Sequence, residues 1–269
     1  MPAARGDRGF ALLIVLWVLV LLALIVAQLG VSGRQEAKIA RNLMGNAQAE
    51  AAADGAVYQA IFHLSDATDP SWQADGLTRH LTVGAVPVEV HIEDEAGKIS
   101  PNLGDPALLQ ALFLILGADQ RQAQLVAQSI VEWRGGTPVE QQPAIIQRYQ
   151  AAGLKAQPTF VPFESLDDVA LVQGMTPELA ALARPHLSVY QIGLFDPTRA
   201  DPIVVRALSQ LPGGSIPAAP TVAPAYRSLS VVASATAADG ARFTRRTVVR
   251  IGPGLPHGYA LLTWEAPEG

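Results

Sequence analysis

Cysteine is missing from the 269-residue sequence, which excludes disulfide bonds, zinc–thiolate sites and thiol-based catalysis. A basic excess is missing as well, because the formal net charge is −5. Nucleic-acid binding depends on a positively charged face that releases counterions from the phosphates. We therefore expect no nucleic-acid partner.

Familiar catalytic patterns are absent too. The five histidines form neither an HExxH motif nor an i,i+4 pair, no serine lies in a GxSxG elbow, and no glycine-rich phosphate-binding loop is present. We predict that the protein is not an enzyme. The turn at 174–177 is similar to a helix–hairpin–helix element, but the acidic residues around it would repel a phosphate. A structural turn with Thr176 as helix N-cap is the favoured interpretation.

The longest apolar run lies near the start of the chain. Residues 10–27, FALLIVLWVLVLLALIVA, are long enough at about 1.5 Å per residue to cross a hydrocarbon core of roughly 30 Å. The alternative is a cleaved secretory signal peptide, whose apolar segment spans only about 7–15 residues. We predict a membrane-spanning helix over 10–31.

The helical pattern continues over residues 32–64. This segment is rich in alanine, glutamine, glutamate and other helix formers, and no proline occurs between Pro2 and Pro70. We predict one helix of about 55 residues, whose second half packs on a globular domain. Apolar residues at three- and four-residue steps form a partial stripe for that packing: Ile39, Leu43, Val57, Ile61 and Leu64.

Two hairpins are predicted, one on each side of a helical region. Leu81–Glu93 alternates apolar and polar residues around a turn at 84–87. Leu229–Thr236 and Arg242–Ile251 flank an Asp-Gly turn, and Tyr259–Trp264 adds an edge strand.

The region between the hairpins contains signals for helix starts. We predict helices that begin after Asp105, at Arg121, after Ser165 and after Thr176. An imperfect repeat accompanies them: the pattern of residues 97–106 returns at 193–202, and an apolar helix follows each copy.

The sequence Arg8-Gly9-Phe10, followed by an apolar helix that continues as an amphipathic one, resembles the leader of type IV pilins and type II secretion pseudopilins. The resemblance implies that a prepilin peptidase cleaves between Gly9 and Phe10 and methylates the new amine of Phe10. Most members carry Glu at the fifth mature position, where this chain has Ile14. The minor pseudopilin K family resembles this sequence in lacking that Glu. A buried Glu needs a neighbouring cation, which a subunit at the filament tip does not have above it.

Further segments along nearly the whole chain resemble the same family. They are residues 94–103 (DEAGKISPNL), 132–134 (EWR), 162–166 (PFESL), 174–179 (GMTPEL) and the closing strands at 231–251.

The implied fold is α+β, with a long N-terminal helix, transmembrane in its first half, packed on a small antiparallel sheet, and a large all-helical domain inserted. The implied divisions are a leader (1–9), a transmembrane half-helix (10–31), a periplasmic half-helix (32–64), a pilin-like domain (65–96 and 190–269) and an inserted helical domain (97–189).

The resemblance also implies a function. The protein would be a minor pseudopilin at the tip of the type II secretion pseudopilus and would initiate filament assembly, supporting export of folded proteins across the outer membrane. Its partners would be minor pseudopilins I, J and H, the prepilin peptidase and inner-membrane lipid. The N-terminus would be cytoplasmic and the bulk of the chain periplasmic. The alternative is a single-pass periplasmic enzyme or sensor whose helical domain binds a small ligand.

Some protein K relatives bind calcium in the helical domain. Calcium takes about six to eight oxygen ligands, several of them carboxylate. In the corresponding stretch of this chain only Glu132 and Glu140 remain as carboxylates, and Arg134 adds repulsion. We expect no cofactor, with Glu132 and Glu140 as weak calcium candidates.

Overall fold

The protein begins with a single long helix. The computed structural model places α1 at Asp7–Ser65, a length of 59 residues, in agreement with the predicted continuous helix. Residues 1–6 of the predicted leader lie outside the described part of the chain. The residues that the structure describes are 7–66, 68–69, 71–192, 195–211 and 224–267.

Among these described residues, no helix reaches the combination of length and hydropathy that a membrane crossing needs.

Five antiparallel strands form one sheet in the order β1-β2-β3-β4-β5. Both predicted hairpins are confirmed, although β1 begins earlier than expected and β5 is shorter. Gly84 (φ 61°) and Gly240 (φ 88°) supply the left-handed conformation that the two hairpin turns require. The strands are β1 (Asp75–Val83), β2 (Val86–Asp94), β3 (Arg227–Thr236), β4 (Arg242–Ile251) and β5 (Tyr259–Leu261).

The second half of α1 packs on one face of this sheet and forms a core that we call the sheet–helix core. The prediction that Ile39 and Leu43 belong to the packed stripe is wrong, because they are 57% and 64% exposed. The contact with the sheet begins near Ala49, and the buried face of α1 consists mostly of alanine, which lets the helix approach the strands closely. The buried α1 residues are Ala49, Ala52, Ala53, Ala56, Val57, Ala60, Ile61 and Leu64.

Between β2 and β3 the chain leaves the sheet, forms six α-helices among its described residues and returns beside the strand it left. The predicted N-caps at Asp105, Ser165 and Thr176 are confirmed, each by a side chain that accepts from a backbone N–H of the first turn. The helices are α2 (Pro106–Ile115), α3 (Gln120–Trp133), α4 (Gln142–Ala151), α5 (Leu166–Val169), α6 (Pro177–Ala183) and α7 (Pro202–Ser209).

These helices enclose a second core, which we call the helical core. Its buried members include large aromatic residues: Phe113, Trp133, Tyr149 and Phe163. The fold class is therefore α+β, a sheet–helix unit and a helical unit joined where the chain leaves and re-enters the sheet.

Candidate interaction surfaces and the junction between the two cores

Residues 93–99 and 196–201, which we call the junction, connect the sheet–helix core to the helical core. The carboxylate of Asp94 is buried there, 3.1 Å from the guanidinium of Arg199 and 3.5 Å from that of Arg227. A buried carboxylate is stable only when cations or donors satisfy it. The acidic pair that opens the first family-like segment thus fixes the exit of the chain from β2.

The two halves of the junction also meet through their backbones. The N–H of Asp196 donates to the carbonyl of Ala96 at 2.8 Å. A methyl group on Gly97 would overlap the carbonyl carbon and oxygen of Arg199, so this position requires glycine. The copies of the sequence repeat are therefore segments that pack on each other. Gly193, which opens the second copy, lies outside the described residues.

Lys98 pairs with the two other acids in the first half of the junction. Its Nζ lies 2.8 Å from the carboxylate of Glu95 and 3.0 Å from that of Glu93. Burial lowers the pKa of Lys98, but attraction to both carboxylates outweighs burial, and the net pKa is raised above its ordinary value of 10.5. Nζ also lies 3.5 Å from Ser230 Oγ. Because Lys98 stays protonated, it cannot act as a base toward Ser230, as a Ser–Lys catalytic pair would require.

On the other side of the junction, three family-like segments meet. The side-chain amide of Asn102 donates to the Phe163 carbonyl at 2.9 Å, and the Phe163 N–H donates back to the Asn102 amide oxygen at 2.7 Å. The ring of Phe163 stacks on Trp133 with centroids 5.9 Å apart. The segments at 94–103, 132–134 and 162–166 are therefore parts of one structural site.

Two open clefts adjoin the junction, with volumes of about 650 and 470 Å³. Acidic and basic side chains line both clefts, and several are paired with each other. For example, His91 lies 3.0 Å from Glu93 on the same strand, and Arg184 is paired with Asp167. Neither pair is a nucleophile–base arrangement.

The first half of α1 forms an apolar surface. Phe10 is 69% exposed and Ile14 is 49% exposed, and every side chain described from Phe10 to Leu24 is exposed. Gly9, the other predicted processing residue, lies in the first turns of the same helix. Apolar surface of this extent is stable only when lipid or another protein covers it.

A clamp between α1 and the sheet was not predicted. The guanidinium of Arg245 in β4 pairs with Asp54 at 2.6 Å and Glu50 at 3.1 Å, and it lies over the rings of Phe243 and Trp264. Arg245 occupies a β4 position that faces α1, where an apolar residue would normally stand, and this is the sequence signal that could have revealed it.

The calcium candidates are not brought together as a ligand set. Glu132 is buried with the guanidinium of Arg148 on its carboxylate, whereas Glu140 is exposed in a short 3-10 helix. Among the described residues, no group of three or more His, Asp or Glu side chains is arranged to hold a metal ion. Calcium needs several free carboxylate oxygens, so these residues do not fit it.

Part of the chain matches a family model. Residues 92–191 match the family model of type II secretion system protein K, first domain. The predicted resemblance to minor pseudopilin K is confirmed. The segment that matches protein K begins in β2 and contains the first half of the junction together with α2 to α6.

The fold is also similar to a solved structure. One chain in the crystal structure of the GspK-GspI-GspJ complex from the enterotoxigenic Escherichia coli type 2 secretion system superposes with a TM-score of 0.56 at 16% identity. The match covers 88% of this chain and 99% of that one. No curated protein matches the sequence. The similarity in fold to a chain of this complex thus extends well beyond the residues that match the family model.

Proposed function

We propose that this protein is a minor pseudopilin of a type II secretion system and works at the tip of the pseudopilus. The observation that carries the proposal is the division of α1 into two parts. Its second half packs on the sheet, whereas its first half presents only exposed apolar side chains where these are described. Such a helix needs a second environment, either lipid or the helices of other subunits.

The proposed cycle uses both environments in turn. Residues 10–31 lie in the inner membrane before assembly, with the N-terminus cytoplasmic and the sheet and helical core periplasmic. During assembly α1 leaves the lipid and packs against the helices of neighbouring subunits. Ile14 fits a subunit with no neighbour above it, because an apolar residue at this depth needs no partner cation.

The proposed partners follow from the similar solved complex, in which the E. coli proteins GspK, GspI and GspJ are assembled together. By analogy this chain associates with minor pseudopilins I and J, with H joining below them, and initiates the filament that supports export of folded proteins. The prepilin peptidase acts once, between Gly9 and Phe10. We propose no catalytic activity.

The proposal is tested on the full-length chain produced together with a prepilin peptidase and the I and J partners. Intact mass and N-terminal sequencing should show a chain that starts at N-methylated Phe10, and both partners should co-purify with it. Gly9→Leu should block processing, because the peptidase requires the small residue before the cleavage point. Gly6→Leu, the same change three positions earlier in the sequence, should be processed normally.

An N-terminus at Met1 or Pro2 in the presence of active peptidase would contradict the proposal, as would a cut near Ala27. If the chain is processed normally but neither I nor J co-purifies with it, the chain has a pilin-like anchor and the proposed role at the pseudopilus tip is wrong. The alternative, a membrane-attached enzyme or sensor, requires neither processing at Gly9 nor these partners.

A further inference from the structure

The helical core contains one buried acidic group near the C-terminal end of α3. Glu132 is only 7% exposed, and both of its carboxylate oxygens are occupied. One oxygen accepts from the side-chain amide of Gln128 at 3.0 Å, and the other accepts from the guanidinium of Arg148 in α4. The negative charge of Glu132 is therefore balanced by a guanidinium of the same chain, and each of its two oxygens accepts a hydrogen bond.

Arg148 extends the contact to a third segment. Its Nε donates to the side-chain oxygen of Gln173 at 2.9 Å, and the N–H of Gln173 donates to the hydroxyl of Tyr149 at 3.1 Å. The guanidinium thus connects α3, α4 and the loop between α5 and α6. A planar group with several fixed donors makes such a three-way connection, which a lysine ammonium cannot reproduce with the same geometry.

A second guanidinium binds the turn that follows the junction. Nη1 of Arg134 donates to the carbonyls of Pro101 and Gly104 at 2.9 and 3.0 Å. Carbonyl and carboxylate oxygens are the ligands that calcium uses in proteins. Around residues 132–134 the carbonyl and carboxylate oxygens already accept hydrogen bonds from arginine side chains.

We propose that Arg148 and Arg134 are built-in cations of the helical core, so that this core folds and keeps its shape without a divalent metal ion. Arg148 is half-exposed, but removing it would leave the buried carboxylate of Glu132 without its cation, so the core depends on Arg148. A calcium ion at Glu132 would first have to displace that guanidinium. The inference concerns the stability of the helical core and stands whether or not the role in secretion is correct.

The first test uses the wild-type full-length protein in detergent. Thermal unfolding is followed by tryptophan fluorescence in about 1 mM calcium and, separately, in an excess of EGTA. Because a ligand that binds only the folded state raises Tm with its concentration, a calcium site of micromolar affinity would raise Tm by several degrees. We expect the two Tm values to agree within about 1 °C. A calcium-dependent rise of more than about 3 °C would overturn the proposal.

The second test removes the built-in cation. Arg148→Met keeps the aliphatic part of the side chain and should lower Tm by roughly 5–10 °C, equally with and without calcium. Arg121→Met is the matched control, since Arg121 is exposed on α3 and has no ion-pair partner among the described residues. Arg148→Lys should give an intermediate Tm.

If Arg148→Met and Arg121→Met have the same Tm, Arg148 does not hold the core. If Arg148→Met fails to fold, the proposal is still tested by the wild-type Tm with and without calcium and by the Tm of Arg148→Lys.

Discussion

The sheet–helix core and the helical core are built from different side chains. In the first, α1 contributes five alanines and only three larger residues to the buried face that lies on the sheet. In the second, leucines interdigitate with Phe113, Trp133, Tyr149 and Phe163. Small residues let a straight helix lie close to a flat surface, whereas large residues fill the irregular space between short helices.

This difference predicts opposite sensitivities. The helical core depends on the volume of its large side chains, so truncation creates cavities in it. The interface of α1 depends on close approach, so enlargement of a small residue forces the helix away from the strands.

The largest effect is expected from truncation in the helical core. Phe113→Ala should lower the free energy of unfolding by about 3–5 kcal/mol, because Phe113 is fully buried and its removal leaves a cavity. Phe62→Ala is the control, since Phe62 is 75% exposed on α1. Thermal unfolding measures the stability of both variants, and hydrogen exchange shows which part of the protein is destabilised. Exchange should quicken in α2 and α3 and remain slow in β3 and β4. An equal loss of protection from hydrogen exchange in both cores would show that they unfold as one cooperative unit.

Sequence patterns predicted the elements of this fold where local chemistry decides them. The starts of α2, α5 and α6 were predicted because Asp105, Ser165 and Thr176 cap their own helices. Helix α4 was missed because Gln141 at its N-cap position makes no side-chain hydrogen bond and its composition is polar. On α1 the predicted Val57, Ile61 and Leu64 are buried, but Ile39 and Leu43 are not, and the alanines that make most of the contact were missed because alanine carries little hydrophobic signal.

The second effect concerns the α1 interface. Ala53→Leu should cost about 1–3 kcal/mol, because Ala53 is fully buried against the sheet and the added carbons have no space. Ala51→Leu, on the exposed side of the same helix, should change stability by less than about 0.5 kcal/mol. Thermal unfolding of the two variants side by side gives the comparison. If Ala53→Leu is as stable as Ala51→Leu, close approach of α1 is not what holds this core.

The junction was only partly predictable from the sequence. The segment at 94–103 was recognised by resemblance, and Asp94 and Lys98 were within it. The partners Arg199 and Arg227 lie far along the chain, and no periodicity or capping rule indicates that they converge on Asp94. The same holds for Arg245 and Asp54, which are 191 positions apart. Long-range ion pairs depend on the completed fold, so local sequence patterns do not predict them.

The smallest effect concerns pH and the charged junction that separates the two apolar cores. Burial raises the pKa of Glu93, but Lys98 and His91 outweigh burial, and the net pKa is lowered below its ordinary value of 4.5. Its stabilising contribution is therefore complete above pH 4.5 and disappears as pH falls through the lowered value. For Lys98 the raised pKa has the opposite consequence: its contribution is complete below pH 10.5 and disappears as pH rises through the raised value.

The measurement is the difference in Tm between wild type and Lys98→Met across pH. The difference should stay constant between about pH 5 and pH 10 and shrink by roughly 2–4 °C outside that range, because the ion pairs are then lost in wild type as well. Lys155→Met, at an exposed lysine, should show no such profile. In acid, hydrogen exchange should quicken at the junction as Glu93 becomes protonated and its ion pair with Lys98 is lost. A Tm difference that persists unchanged to pH 3 would mean that Lys98 stabilises the junction by packing its aliphatic chain and not by its charge.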